Sequence, residues 1–198
     1  MMRVDPSVTP TMAKTPTLAT WELDLLRTIE NVVRLGHLER VEQDRLVLQH
    51  GEVAIANDAV VVHCAAPGLR YKPLMPIWAA HAITPQPVRA GFPCFGAALA
   101  GFVEAIIDDD AEKNRVCPPS PFSDTAMDWA AMQVLGGRAS MAFSAHPDIK
   151  AWAGRTVLNP ARIPPERQGD GDVVAATGRF TAFVGPGLAR LAELAALS

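Results

Sequence analysis

DRLVLQHGEVAIANDAVVVHCAAPG, residues 44–68, decides the fold reading. Short apolar runs at 37–42, 45–49 and 52–56 are separated by Gln43-Asp44 and His50-Gly51, which are turn pairs, so a small antiparallel ribbon is expected. Ala59 to Cys64 follows, with Val60, Val61 and Val62 in succession. Three β-branched residues in a row suit a strand covered on both faces, as in the middle of an α/β sheet. The strand runs into a tight loop of small residues, and loops after buried strands are where α/β proteins place ligands.

Upstream, Trp21 to Val33 reads as a helix, with Thr20 as N-cap, Glu22 and Asp24 in the first turn and Gly36 beyond the end. Trp21, Leu25, Ile29, Val32 and Val33 share one face, which is expected to be the buried one. Residues 1–19 are rich in Pro and Thr and carry little apolar periodicity, an opening that a free domain seldom has unless the segment packs against something else. Downstream, residues 65–94 carry prolines at 67, 73, 76, 85, 87 and 93 and read as loop. Phe95 to Ile107 is a second helix, made slim by Gly96, Ala97, Ala98, Ala100, Gly101 and Ala105. A neighbouring strand is the expected close partner, ahead of a ligand. Residues 125–143 form a third helix weakened at Gly136-Gly137, and Asp148 to Trp152 begins a fourth. Asn159 to Gly171 is a linker, and Phe180–Val184 and Leu188–Leu197 read as a closing strand and helix.

Composition limits the function classes. The chain has 198 residues, 49% hydrophobic and 20% charged, with a net charge of -3. It can bury a core, and it has no basic patch interleaved with aromatics, so nucleic acid is not an expected partner. No apolar run reaches the roughly 18 residues of a membrane span, and the N-terminus lacks an apolar signal core, so a cytoplasmic location is expected. Cys64, Cys94 and Cys117 form no C-x-x-C pair, which favours reduced, mostly buried thiols.

Several motifs resolve to plainer readings. FTAFVGPGLARLAELAA, residues 180–196, mimics strand, Gly-x-Gly and helix, but Arg190 stands at the third glycine position and Pro186 fits a helix N1 position. Asp108, Asp109, Asp110 and Glu112 lack the alternating ligands of a calcium loop and read as a solvated run opening the next turn. His37, His50, His63, His81 and His146 form no zinc pair, so no metal site is expected. His63 adjoins Cys64, yet neighbours on a strand point to opposite faces. Arg70, Lys72 and Arg89 lie in the irregular region and read equally as a phosphate or acidic-substrate anchor and as surface charge; Gln86 and Asn114 are possible hydrogen-bonding groups.

The segments PTMAKTPT (10–17), WELDLLRTIENVVRLGHLERVE (21–42), AVVVHCAAPGL (59–69), ITPQPVRAGFPCFGAALAGFVEA (83–105) and DDDAEKNRVCPPSP (108–121) together resemble the C-terminal half of bacterial FAD/NAD(P)-binding oxidoreductases. The resemblance is to the pyridine nucleotide-disulfide oxidoreductase and flavin monooxygenase group, over roughly residues 1–165. It implies that Ala59–Gly68 matches the closing strand and loop that typical relatives write as D-x-V-V-x-A-T-G, with Asp58 as the acidic residue and Cys64-Ala65-Ala66-Pro67-Gly68 in place of Ala-Thr-Gly. Cofactor-binding residues implied are Cys64, Ala65, Ala66, Gly68, Gln86 and Arg89, with FAD and NAD(P) as cofactors.

No Gly-x-Gly-x-x-Gly unit and no redox-active C-x-x-x-x-C occurs in these residues. The expectation is therefore a truncated part of a flavin- and NAD(P)-dependent oxidoreductase that binds cofactor weakly alone and carries no nameable catalytic acid or base. The competing reading is a non-enzymatic remnant or interaction module that self-associates through the face left by the missing half. The expected fold is α/β: a partial FAD/NAD(P)-binding Rossmann-like domain over 1–107 with an antiparallel ribbon, and a mainly helical C-terminal region over 108–198 with the linker near 159–171.

Overall fold

The computed structural model describes residues 2–9, 12–13, 18–64 and 73–197, and it divides into two compact units. The first comprises Met1–Val8 and Leu18–Gly68, the second Thr9–Thr17 and Leu69–Ser198. The expected division at 107–108 falls within the second unit. Helices combine with two small antiparallel sheets, a broadly α/β composition. No helix among the described residues is long and apolar enough to cross a membrane.

The first unit is built on the ribbon. Strands β1 (Leu38–Val41), β2 (Arg45–Leu48) and β3 (Gly51–Ala54) form an antiparallel meander in that order, with Leu46 opposite both Val41 and Val53. Gly36 has φ +84°, and a Cβ there would lie 2.7 Å from the Gln49 side chain, so only glycine enters the ribbon at this point. Arg45 ties β2 to its neighbours through Glu42 and Glu52.

Helix α1 (Thr20–Leu26) is shorter than expected. Ala19, not Thr20, takes the N-cap position, and the Glu22 carboxylate accepts the Ala19 amide at 2.6 Å. Beyond Arg27 the β-branched residues Thr28, Ile29, Val32 and Val33 resist further helix. Arg27 instead donates to the carbonyls of Arg3 and Val4. The buried face is also different: Leu23 is buried, while Trp21, Leu25 and Ile29 face solvent.

The strand expected over Ala59–Cys64 does not form. Val60 is 87% exposed and Val62 72%. β-Branched residues favour a pleated conformation, but a strand needs a ladder, and the described residues of this unit supply none beyond β3.

The second unit is mainly helical. Strands β4 (Trp78–Ala79) and β5 (Ala82–Ile83) make a two-stranded hairpin. Then come α2 (Pro93–Ile106), α3 (Asp110–Val116), α4 (Ala126–Ala145), α5 (Pro147–Arg155), a 3-10 turn (Pro165–Arg167) and α6 (Gly171–Leu194). Phe95, Leu99 and Val103 project from one face of α2 into a core completed by Ile77, Val88 and Ile149. Phe102 stacks on Trp152 with centroids 4.8 Å apart, and Phe95 meets Phe143 edge-on at 5.8 Å. A reciprocal cap opens α4: Thr125 accepts from the Asp128 amide at 3.2 Å, and the Asp128 carboxylate accepts the Thr125 amide at 2.8 Å. Gly136 and Gly137 leave α4 continuous. They are the places where the backbone at Ala90 and the side chain of Leu188 lie against it. Ala13 is fastened to this unit by the Asp124 carbonyl and by Ser123.

The closing strand and helix expected over 180–197 are one helix, α6, with Pro186 inside it rather than at its N1 position. The Phe180–Val184 run has strand-like composition but no strand to pair with. Its alanine-rich surroundings and an N-terminus braced by Arg167 to Asp170 and Asp172 favour helix. Pro186 costs one hydrogen bond, which a helix of 24 residues absorbs. No strand and turn precede Gly185-Pro186-Gly187, so the phosphate-cradle geometry is absent there.

Candidate functional site

The residues proposed to hold a cofactor separate between the units. Cys64 is exposed and belongs to the first. Ala65, Ala66 and Gly68 lie outside the described residues, as do Arg70 and Lys72. Gln86 and Arg89 fall together in the second unit, on the strap that leads into α2.

Almost every residue of that strap is fastened inward. The Gln86 side-chain amide donates to the Met75 carbonyl and accepts the Met75 amide, so it acts as a clasp on neighbouring backbone. The Pro87 carbonyl accepts the Ser120 amide at 2.6 Å. Val88 is fully buried. Gly96 of α2 lets the strap come close: a Cβ there would sit 3.0 Å from the Val88 nitrogen and 3.3 Å from the Gln86 carbonyl oxygen. The slim face of α2 therefore receives an irregular strap, not the neighbouring strand expected. On the other side Ala90 lies against Gly136, and Gly91 (φ +74°) turns the chain so that the Phe92 amide reaches the Arg89 carbonyl at 3.1 Å.

Arg89 is the exception. It is half-buried over the Phe92 ring, 6.0 Å from the ring centroid, and no carboxylate among the described residues pairs with it. Burial pushes its pKa below the usual guanidinium range, yet arginine stays charged. A half-buried guanidinium on a pinned strap offers planar paired donors to a carboxylate or phosphate. Phe92 sits at the N-cap of α2 without a side-chain cap, and Cys94 is exposed in the first turn, so the helix's positive end lies beside the same strap.

A second polar cluster holds the β4 side of the core. Lys113 is buried, and its Nζ lies 2.7 Å from Glu104 Oε2 and 3.1 Å from Asp110 Oδ1. Trp78 Nε1 donates to the same Glu104 oxygen at 2.7 Å. Asn114 brackets the Trp78 backbone, donating to its carbonyl at 2.8 Å and accepting from its amide at 3.2 Å. Hydrogen bonds from Lys113 and Trp78 hold the Glu104 carboxyl below the usual range, and Glu104 raises Lys113. Each group has a partner, so the cluster works as a lock on β4 and α3. Asp109 caps α3 by accepting the Glu112 amide at 2.7 Å, which gives the acidic run its place at the start of the next helix.

Sequence reasoning missed Glu104 and Lys113, because their pairing links α2 to α3 and leaves no local pattern. It found Asn114 only as a generic hydrogen-bonding residue. Of the three thiols only Cys117 is buried, which corrects the expectation of mostly buried cysteines, and burial pushes it up to about 12.

The chain is similar to Rv2000, an uncharacterized protein of Mycobacterium tuberculosis (strain ATCC 25618 / H37Rv), and to Mb2023, an uncharacterized protein of Mycobacterium bovis. Each is 35% identical over 159 residues, which cover 80% of this chain. The aligned stretch spans about 30% of the length of these curated relatives. No family model matches the chain. No solved structure matches it either.

Proposed function

We propose that this chain is a wall-forming part of a larger flavin- and nicotinamide-linked oxidoreductase, located in the cytoplasm, with Arg89 holding a phosphate of the dinucleotide or an anionic substrate. The observation that carries the reading is Arg89 itself: a half-buried cation on a pinned strap with no carboxylate partner among the described residues. Half-burying a guanidinium with no carboxylate partner among the described residues carries a desolvation cost, which an anionic ligand offsets. The flavin, when bound, supplies the redox chemistry. This chain's contribution is the anchor at Arg89 on the pinned strap 86–92.

Two further observations support the reading. The matched stretch is about 30% of each mycobacterial relative, so most of each relative's length lies outside it, with room for a dinucleotide-binding domain. The first unit also leaves Trp21, Leu25, Ile29, Val60 and Val62 exposed, apolar residues that a larger assembly would cover. Ala59–Cys64 would then gain its ladder from a sheet outside these residues. The visible spectrum of purified Rv2000 tests the flavin part of the proposal. Stoichiometric flavin absorption supports it; a colourless protein that takes up no added FAD counts against it.

The same exposed apolar residues favour a second reading, a non-enzymatic interaction module. It separates from the first because it predicts no anion or cofactor affinity at Arg89.

A further inference from the structure

Helix α6 presents a face to solvent that is its own complement. Phe180 and Phe183 are 68% and 69% exposed, and none of the helix's residues is fully buried. Leu188, which meets Gly137, turns the other side of α6 toward α4. Asp172 stands near the N-terminal end of α6 and Arg190 near its C-terminal end, with side chains 75% and 69% exposed. Their separation in sequence is five turns at about 3.6 residues per turn, so both lie on one line of the helix. Phe183 stands about 20° around the helix from that line and Phe180 about 80° to the same side, at levels that bracket its midpoint, with the small residues Ala176 and Gly187 beyond them.

We infer that this face pairs with the same face of a second copy, antiparallel about a two-fold axis near the level of residue 181. The two-fold axis sets Asp172 of one copy opposite Arg190 of the other, twice over, and brings the Phe180–Phe183 clusters together between them. It also places Arg179 level with Phe183 of the other copy, within the geometry of a cation–π contact. A parallel pairing would oppose like charges. Glu193 already bonds Arg190 at 2.5 Å, and Arg167 reaches Asp172 at 3.4 Å. These pairs are exposed and weak, and an arginine has donors to spare for a second carboxylate. The pairing is independent of what Arg89 binds.

Sedimentation of the full chain across roughly 5 to 500 µM tests the inference by mass action. Wild type is expected to show a concentration-dependent monomer–dimer equilibrium. Phe180→Asp with Phe183→Asp should weaken dimerisation at least about tenfold while helical circular dichroism is retained, since both rings are exposed. Asp172→Arg alone and Arg190→Asp alone should each weaken it, and the two together should restore it by exchanging the charges. A wild-type chain that stays monomeric throughout overturns the inference. So does a dimer indifferent to the phenylalanine changes, or a charge-exchanged chain that dimerises no better than the single variants.

Discussion

Lys113 Nζ sits 2.7 Å from Glu104 Oε2 although the lysine side chain is only 6% exposed. The ammonium is out of water, and the carboxylate is what makes its burial tolerable. Glu104 is depressed, so its contribution is present above the ordinary glutamate range and is lost as pH falls through its folded value. Lys113 is raised, so its contribution is complete below the ordinary lysine range and is lost as pH rises through its folded value. Glu104→Gln should therefore lower the melting temperature at neutral pH, and the gap from wild type should close on acidification. Thermal melts between about pH 3 and pH 8 check this. A gap independent of pH would contradict it.

Gly136 and Ala90 give a steric test. A Cβ on Gly136 would lie 2.7 Å from the Ala90 nitrogen, which is backbone and cannot swing aside. Gly136→Ala should cost about 1–3 kcal/mol by urea denaturation. Gly101, in the middle of α2, has nothing within 4 Å of the same position, so Gly101→Ala should stabilise by about 0.5–1 kcal/mol. Equal effects at the two sites would refute the close approach.

The thiols should divide. Cys64 and Cys94 are exposed and Cys117 is buried, its thiol pushed up to about 12. A thiol reagent at mildly alkaline pH is expected to modify the two exposed cysteines promptly and the third only after denaturant is added. Prompt modification of all three would place Cys117 outside the core.

Trp152 stacks on Phe102 and also lies 5.9 Å from Phe95, joining α5 to α2. Trp152→Ala should cost about 3 kcal/mol, and Trp152→Phe should recover much of that loss. Denaturation curves of the two variants compared with wild type decide it.

What could be read from the sequence follows the range of the forces involved. The ribbon over 38–54 was legible because turn pairs and short apolar runs are local, and α2 and α4 because an alanine-rich, helix-favouring composition is local too. The Trp21–Ile29 face and the Val60–Val62 run were expected to be buried because residues of that composition ordinarily are. In the structure no described part of the first unit covers them. Helix α6 was misread because Phe-Thr-Ala-Phe-Val and Gly-Pro-Gly carry strand and turn preferences that the helix around them overrides. At the candidate site, Arg89 was legible as a cation in a loop. Its lack of a carboxylate partner among the described residues was not, because that depends on how Ser120, Gly136 and Met75 pin the strap around it.

The most direct measurement of the central proposal is a fluorescence titration of FAD with the purified chain, with Arg89→Ala alongside and inorganic pyrophosphate as competitor. The proposal predicts weak, saturable binding that pyrophosphate displaces and that Arg89→Ala weakens about 10- to 100-fold. The absence of saturable binding, or identical curves for wild type and Arg89→Ala, would contradict it.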